Sequence, residues 1–134
     1  MNANSNTSKV NIRFSDVDLF GHVNNAVYLT YFEEARVEFF DKIIGYDYNW
    51  SKQGIILARF EVDFIIPVHF REEIFIRTKC SRIGNKSFDL VYEMYHVKDG
   101  KEILNSTGTS VMVMFDYEEK KSVVVPKEWR QKLG

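Results

Sequence analysis

The chain has 134 residues, 45% of them apolar, and this length supports one hydrophobic core but not two ordinary domains. We therefore predict a single domain over residues 1–134. The 18 basic and 19 acidic residues nearly cancel, which excludes an overall field that would attract nucleic acid or an anionic membrane. No stretch approaches the roughly 18 consecutive apolar residues of a membrane span. The single cysteine excludes an internal disulfide and fits a reducing compartment, so we expect a cytoplasmic location.

The first part of the chain predicts a tail, a strand and a loop. Residues 1–8 are polar, without the apolar core of a signal peptide, and are expected to form a frayed tail. From Lys9 to Phe14, apolar and polar side chains alternate, which is typical of a half-buried strand. Residues 15–25 are rich in Asp, Gly and Asn, so they predict a loop.

One long helix is predicted from Ala26 to Ile44, because this stretch contains neither proline nor glycine. The side chain of Asn24 or Asn25 can cap its start by accepting a hydrogen bond from an unpaired backbone N–H. Apolar side chains cover much of the helix circumference, which indicates that other elements surround it.

Strand patterns dominate the rest of the chain, after an aromatic and polar loop from Gly45 to Gly54. The predicted strands are Ile55–Ile66, Glu73–Ile83, Lys86–Val97 and Lys101–Phe115, with turns at Gly84–Asn85 and Asp99–Gly100. Pro126 is predicted to open a short terminal helix that continues through Trp129. One apolar helix among these strands implies an α+β fold, in which an antiparallel sheet of about five strands curves around the helix.

A long sheet of this kind leaves backbone groups unpaired at its edges. Two copies of the chain that pair edge to edge would satisfy these groups and extend the sheet. We therefore expect a homodimer as the minimum assembly, and such dimers can pair again into a homotetramer.

The segment that carries chemistry is residues 13–36, which read RFSDVDLFGHVNNAVYLTYFEEAR. Its loop leads directly into a helix N-terminus, where unpaired backbone N–H groups and the positive end of the dipole favour a developing oxyanion. A carboxylate just upstream can attack a carbonyl or activate water. Thioester hydrolysis requires these two parts, so the segment is suited to that reaction.

This segment resembles the signature of the hotdog-fold acyl-CoA thioesterases of the 4-hydroxybenzoyl-CoA thioesterase type. The stretches ARFEVDFIIPVHFREEIFIRTKC and SRIGNKSFDLVYEMY also resemble the family's central strands. The resemblance implies the hotdog fold, an acyl-CoA substrate and catalysis by Asp18, the second acid of the D-x-D pair, as nucleophile or general base. It places Asn25 at the helix start, where backbone N–H groups of the first turn hold the thioester oxygen. Such a donor is typically worth about 3 kcal/mol in the transition state.

Three further residues of this segment carry predictions that follow the resemblance. His22 fits the family's G-H-x-N-N form and acts either as a proton shuttle or as a hydrogen-bonding support for the loop, and we favour the support. Tyr28 follows the family's N-N-x-x-Y spacing and is expected to line the acyl pocket, although ordinary core packing also explains it. Asp16 is interpreted as a local turn or cap residue.

Coenzyme A carries phosphates that call for basic residues near the pocket, because the chain has no Walker-type loop. In the resembling thioesterases, basic residues around the hairpin SRIGNKS contact the nucleotide, which makes Arg82 and Lys86 candidates; an ordinary charged hairpin explains them equally well. We expect no metal and no cofactor beyond the coenzyme A of the substrate. Cys80 is interpreted as a small buried apolar residue.

Two alternative functions stay open. An enoyl-CoA hydratase or dehydratase shares the fold, but its D-x-N-P-x-H pattern differs from the D-L-F-G-H of residues 18–22. A non-catalytic acyl-CoA sensor is the third hypothesis, which the intact Asp18 disfavours.

Overall fold

A computed structural model of the chain describes residues 4–134. The elements are β1 (Ser5–Lys9), α1 (Val27–Ile43), β2 (Gln53–Phe64), β3 (Phe75–Ile83), β4 (Ser87–Lys98), β5 (Lys101–Asp116), β6 (Lys121–Ser122) and α2 (Lys127–Leu133), with a 3-10 turn at Phe14–Asp16. Neither helix in the described part of the chain is long and apolar enough to cross a membrane.

The strands form one antiparallel sheet in the order β1-β3-β4-β5-β2, and β6 adds a short pair to the end of β5. Residues 84–86 connect β3 to β4, one residue more than the predicted Gly84–Asn85 turn, and Asp99–Gly100 connect β4 to β5 where the sequence predicts a turn. At Asp99 and Gly100 both φ angles are positive, 53° and 75°, as a hairpin turn that follows the twist of the strands requires. The predicted α+β fold with one long helix is confirmed.

Three strands each contain one extra residue relative to a neighbour. The pairing register shifts at Ala58 in β2, at Ser81 in β3 and at Asn105 in β5. Such β-bulges bend a strand and increase its right-handed twist. The bulges therefore help the sheet to curve around α1.

Helix α1 supplies the centre of the core, and its observed bounds agree with the predicted helix to within one residue at each end. Its buried apolar side chains are Tyr28, Tyr31, Phe32, Ala35, Phe39 and Phe40. They form one cluster with side chains of the sheet, among them Ile74, Ile76, Phe88, Leu90, Tyr92, Met94, Met112 and Met114. This burial is the main stabilising term of the fold.

An aromatic cluster closes one end of this core. The ring of Trp129, in α2, lies 5.8 Å from Phe40, 5.2 Å from Tyr48 and 5.8 Å from Trp50 between ring centroids. Helix α2 begins at Lys127, so Pro126 precedes the helix instead of opening it, and the helix extends beyond Trp129 to Leu133.

The prediction for the N-terminus was wrong. The first strand is Ser5–Lys9 and not 9–14, so residues 5–8 are not a frayed tail; residues 1–3 lie outside the described part of the chain. Asn6 and Ser8 point inward, and the Asn6 amide donates to the Ser8 hydroxyl at 3.2 Å. A strand with polar inward side chains lacks the apolar alternation that sequence patterns detect.

We expect replacement of Trp129 by alanine to reduce the free energy of unfolding by about 3–5 kcal/mol, because it empties a fully buried aromatic site. Urea denaturation measures this loss. The control is Tyr46→Ala, which removes a ring that is 76% exposed and should cost no more than about 0.5 kcal/mol. Similar losses of unfolding free energy in the two variants would contradict a stabilising role of the aromatic cluster.

Candidate active site

The loop between the 3-10 turn and α1 is a small hairpin fixed by backbone hydrogen bonds. Val17 and Val23 form an antiparallel bridge, and the amide of Asp18 donates to the carbonyl of His22 at 2.9 Å. The amide of Gly21 donates back to the Asp18 carbonyl at 3.1 Å, with a φ of 80° that glycine adopts without strain. The backbone therefore fixes the position of Asp18 without using its side chain.

The Asp18 carboxylate is exposed to solvent and borders a cavity. Its Oδ1 atom accepts a hydrogen bond of 2.9 Å from the amide of Phe20. That bond orients the carboxylate, while Oδ2 has no hydrogen-bond partner among residues 4–134. One oxygen is thus held and the other is available to a ligand or to water.

The cavity has a volume of about 330 Å³. Four of the predicted site residues line it, namely Asp18, His22, Asn25 and Tyr28. The other lining residues are Val23, Phe64, Ile65, Ile66 and Pro67. Sequence reasoning missed the wall formed by residues 64–67, and the only sequence signal for it is the proline that ends a strand pattern.

The backbone amides at the start of α1 differ in their hydrogen bonding. The amide of Ala26 donates to Asn24 Oδ1 at 2.9 Å, that of Val27 to the Asn24 carbonyl at 2.9 Å, and that of Tyr28 to the Asn25 carbonyl at 3.3 Å. The Asn24 side chain therefore forms a turn just before the helix. The N-cap position is Ala26, which makes no side-chain cap hydrogen bond, so the predicted cap by Asn24 or Asn25 is not observed. The amide of Asn25 has no acceptor among residues 4–134, so it is the donor at this helix start that a bound carbonyl oxygen can use.

Tyr28 and His22 connect the helix and the loop to the segment that follows β2. The Tyr28 hydroxyl accepts a hydrogen bond of 3.2 Å from the amide of Val68. Burial is the main cause that raises the pKa of Tyr28 above its ordinary value, so the phenol stays protonated at neutral pH. The His22 ring meets the edge of the His69 ring at a centroid distance of 4.8 Å. Whether His22 transfers protons or supports the loop stays a prediction.

Asp16 faces inward, unlike Asp18. It is 3% exposed, and its Oδ2 accepts hydrogen bonds from the Tyr31 hydroxyl at 2.6 Å and from the Arg13 amide at 3.0 Å. The bond from Arg13 is the local cap interaction that the sequence predicts; the bond from Tyr31 was not predicted. Burial raises the pKa of Asp16, but the bonds from Tyr31 and Arg13 outweigh it and leave the pKa below its ordinary value. Asp16 therefore anchors the loop to α1 as a carboxylate.

Arg82 and Lys86 do not reach this cavity. The guanidinium of Arg82 donates to both carboxylate oxygens of Asp89, at 2.9 and 3.0 Å, and to Ser87 Oγ at 3.2 Å. The hydrogen bonds to Asp89 raise the pKa of Arg82. Lys86 is exposed at the turn between β3 and β4. Their contact with a nucleotide stays a prediction, and the structure of one chain does not place them beside Asp18.

Cys80 is half-buried and packs against the core, and burial raises the pKa of its thiol. Among residues 4–134, no three His, Cys, Asp or Glu side chains come together in a way that suits a metal ion.

Comparison with known proteins identifies the family of the chain. A family model described as "Thioesterase-like superfamily" matches residues 12–133. The chain belongs to the thioesterase-like superfamily. It is similar to the uncharacterized protein YsmA of Bacillus subtilis (strain 168), with 32% identity over 126 residues that cover 94% of this chain and 83% of YsmA.

Solved structures of thioesterases have the same fold. A thioesterase from Thermus thermophilus, crystallised with coenzyme A and Zn, is 28% identical with a TM-score of 0.78, over 95% of this chain and 90% of that one. A mutant 4-hydroxybenzoyl-CoA thioesterase in complex with 4-hydroxybenzoyl-CoA is 20% identical with a TM-score of 0.88, over 98% of this chain and 100% of that one. The predicted hotdog thioesterase fold is confirmed, and this superfamily member is a thioester hydrolase.

We expect Tyr31→Phe to lose about 1.5–3 kcal/mol of unfolding free energy at neutral pH, because it removes a hydrogen bond to a buried carboxylate. The folded pKa of Asp16 lies below the ordinary value of about 3.9. The stabilisation is therefore fully present above that value, and it is lost as the pH falls through the lower folded pKa.

Urea unfolding of the parent and Tyr31→Phe, repeated from about pH 7 down to about pH 2, measures this dependence. The difference between the two proteins should narrow in acid. In the control, Tyr48→Phe, the lost hydroxyl donates 3.2 Å to the neutral carbonyl of Gln53, so its effect should not change over this range. If the loss of unfolding free energy in Tyr31→Phe is also independent of pH, the charge of the Asp16 carboxylate does not contribute to it.

Proposed function

We propose that this thioesterase hydrolyses acyl-CoA thioesters to a free carboxylic acid and coenzyme A, without a separate cofactor. One observation carries the proposal: Asp18 and Asn25 line the same cavity. Within residues 4–134, one carboxylate oxygen of Asp18 has no hydrogen-bond partner and the backbone amide of Asn25 has no acceptor. The carboxylate can serve as the nucleophile or base, and the amide as the oxyanion donor, that thioester cleavage requires.

Two routes use the Asp18 carboxylate. In the first, Asp18 attacks the thioester carbonyl, the C–S bond breaks as coenzyme A leaves as thiolate, and water then hydrolyses the mixed anhydride. In the second, Asp18 takes a proton from water as the water oxygen attacks the carbonyl, and the C–S bond then breaks as coenzyme A leaves as thiolate. In both routes the Asn25 amide stabilises the negative oxygen of the tetrahedral intermediate. The departing thiolate takes up a proton from solvent or from a site residue.

Similarity to a thioesterase crystallised with coenzyme A supports coenzyme A as the leaving group. The apolar wall of the cavity, which includes Phe64, Ile65 and Ile66, suits an acyl or aryl group next to the reacting carbonyl.

We expect Asp18→Asn to slow release of coenzyme A thiol by a factor on the order of 10² or more, because the substitution keeps the shape of the side chain but removes its charge. The assay follows free thiol from short, medium, long and aromatic acyl-CoA esters. The unfolding free energy should stay within about 0.5 kcal/mol of the parent, because the side chain is exposed.

Asp47→Asn is the matched control, since it neutralises another exposed loop carboxylate and should leave the rate unchanged. An enoyl-CoA hydration assay runs alongside. A parent protein that binds acyl-CoA but releases no thiol would refute the proposal, and hydration or its absence then decides between a hydratase and a sensor. A single turnover in heavy-oxygen water identifies direct attack if the label enters Asp18, because this requires water to add to the aspartyl carbonyl of a mixed anhydride.

We also propose that the chain acts as a homodimer in the cytoplasm. β2 is the longer edge strand of the sheet, and its outer edge has no pairing partner among residues 4–134. Large apolar side chains are exposed on β2, just after it and on α1. They are Ile56, Leu57, Phe64, Ile65, Ile66, Leu29 and Val37. Antiparallel pairing of two β2 strands would satisfy the free backbone groups and cover this surface.

Leu57→Lys tests the interface, because a charged side chain on an edge strand opposes strand pairing. We expect sedimentation to show the parent as a dimer, or as a tetramer of paired dimers, and Leu57→Lys as a monomer. Val124→Lys is the control, because Val124 is also an apolar residue exposed to solvent but lies outside β2. Val124 is 53% exposed and Leu57 is 44% exposed. A monomeric parent, or a dimer that survives Leu57→Lys, would contradict the proposal.

A further inference from the structure

The bulge in β5 turns a polar side chain into the protein beside the cavity wall. In the β4–β5 ladder, Met94 pairs with Ser106 and Tyr95 with Leu104, so Asn105 is the extra residue. As a result, Asn105 and Ser106 are both fully buried, which breaks the alternation of inward and outward side chains along the strand. Bulges re-aim side chains in this way, often next to active sites.

Asn105 binds the segment that forms the apolar wall of the cavity. Its backbone carbonyl accepts hydrogen bonds from the amides of Ile65 at 2.9 Å and Ile66 at 3.1 Å. Its side-chain Nδ2 donates to the carbonyl of Ile66 at 3.2 Å and lies 3.5 Å from the carbonyl of Pro67. One residue therefore holds the wall segment from Ile65 to Pro67, although that segment has already left the regular ladder between β2 and β5.

His96 fixes the orientation of the Asn105 amide. Asn105 Oδ1 lies 2.6 Å from His96 Nδ1. Because Asn105 Nδ2 donates to carbonyl oxygens, Oδ1 is the acceptor, and His96 Nδ1 carries the proton. The other ring nitrogen, Nε2, lies 3.6 Å from the carboxylate of Glu72, which also accepts a hydrogen bond of 2.7 Å from the amide of His69. This chain of contacts leads back to His69, whose ring meets His22 in the cavity.

We propose that Asn105 is a positioning residue for thioester cleavage, with His96 as its orienting partner. Asn105 does not touch the substrate; it holds the Ile65–Pro67 wall so that the acyl group brings the reacting carbonyl to Asp18 and to the Asn25 amide. The inference rests on the proposed function. A small displacement of bound substrate costs much more rate than affinity, since about 1 Å can reduce a rate on the order of 10²-fold.

Ser106 is the matched control for this role. It is equally buried and is the next residue in the chain, but its hydroxyl donates to the carbonyl of Asp63 at 2.8 Å, and Asp63 does not line the cavity. Asn105→Ala and Ser106→Ala should therefore both lower stability, whereas only Asn105→Ala should change the geometry of the wall.

The experiment measures kcat and KM for one acyl-CoA ester well below the unfolding temperature of each variant. We expect Asn105→Ala to reduce kcat on the order of 10-fold or more with a smaller change in KM, and Ser106→Ala to stay within about threefold of the parent. Asn105→Asp should be as slow as Asn105→Ala, because a carboxylate can accept from His96 but cannot donate to the wall carbonyls. His96→Gln should retain the parent rate, because its side-chain N–H can still donate to Asn105 Oδ1. His96→Leu has no such donor and should be slower than the parent.

Equal kcat values for Asn105→Ala and Ser106→Ala would overturn the inference. If the parent releases no thiol from any ester, the proposed function fails separately, and the affinity for acyl-CoA then becomes the test. Calorimetry should then show that acyl-CoA binds Asn105→Ala more weakly than it binds Ser106→Ala. Equal affinities of the two variants would overturn the role of Asn105 in that case.

Discussion

The structure depends on the burial of one helix that is apolar over most of its circumference. A flat sheet would cover a single face of α1 and leave the other apolar side chains in water. The sheet instead contains bulges at Ala58, Ser81 and Asn105, and each of them adds local bend and twist. The aromatic cluster around Trp129 then closes the end of the core that the strands do not cover. Curvature of the sheet is therefore a condition for burying the helix.

The same arrangement brings the candidate site residues together. The start of α1 lies beside the end of β2 in space, so the loop before the helix and the segment after the strand border one cavity. The two acids of the D-x-D pair lie in different environments there. Asp16 is directed inward, where Tyr31 and Arg13 hold it, and Asp18 is directed outward with one oxygen available. Backbone hydrogen bonds determine this difference, since the two residues are adjacent to the same short bridge between Val17 and Val23.

Features encoded by neighbouring residues could be predicted from the sequence. The absence of proline and glycine identified α1, and the Asp99–Gly100 pair identified a tight turn. Asp18, His22, Asn25 and Tyr28 could be predicted together because their segment resembles a family signature, and the structure brings all four to one cavity. Features that depend on distant residues were not predicted. Nothing near Asn105 in the sequence indicates that it bonds to Ile66, and nothing near Asp16 points to Tyr31.

β1 shows a second reason why a sequence-based prediction can be wrong. Its inward positions carry Asn6 and Ser8, whose polar groups bond to one another, so an apolar alternation never appears. Backbone hydrogen bonds to β3 hold the strand in place. Because every residue type except proline can form both of these bonds, they leave no pattern in the sequence. The nucleotide contact predicted for Arg82 and Lys86 is untested, because a basic pair next to a turn does not specify which cavity it faces. Arg82 is instead held within its own hairpin by Asp89.

The open outer edge of β2 links folding to the amount of protein present. A chain whose longest edge strand carries exposed apolar side chains is prone to aggregation while it is a monomer. The proposed pairing with a second copy would remove that hazard, and by mass action it would make thermal stability rise with protein concentration. Dilution would then weaken the protein without any change in its sequence. In such a dimer, the concentration of the thioesterase would set the fraction of chains whose edge is covered.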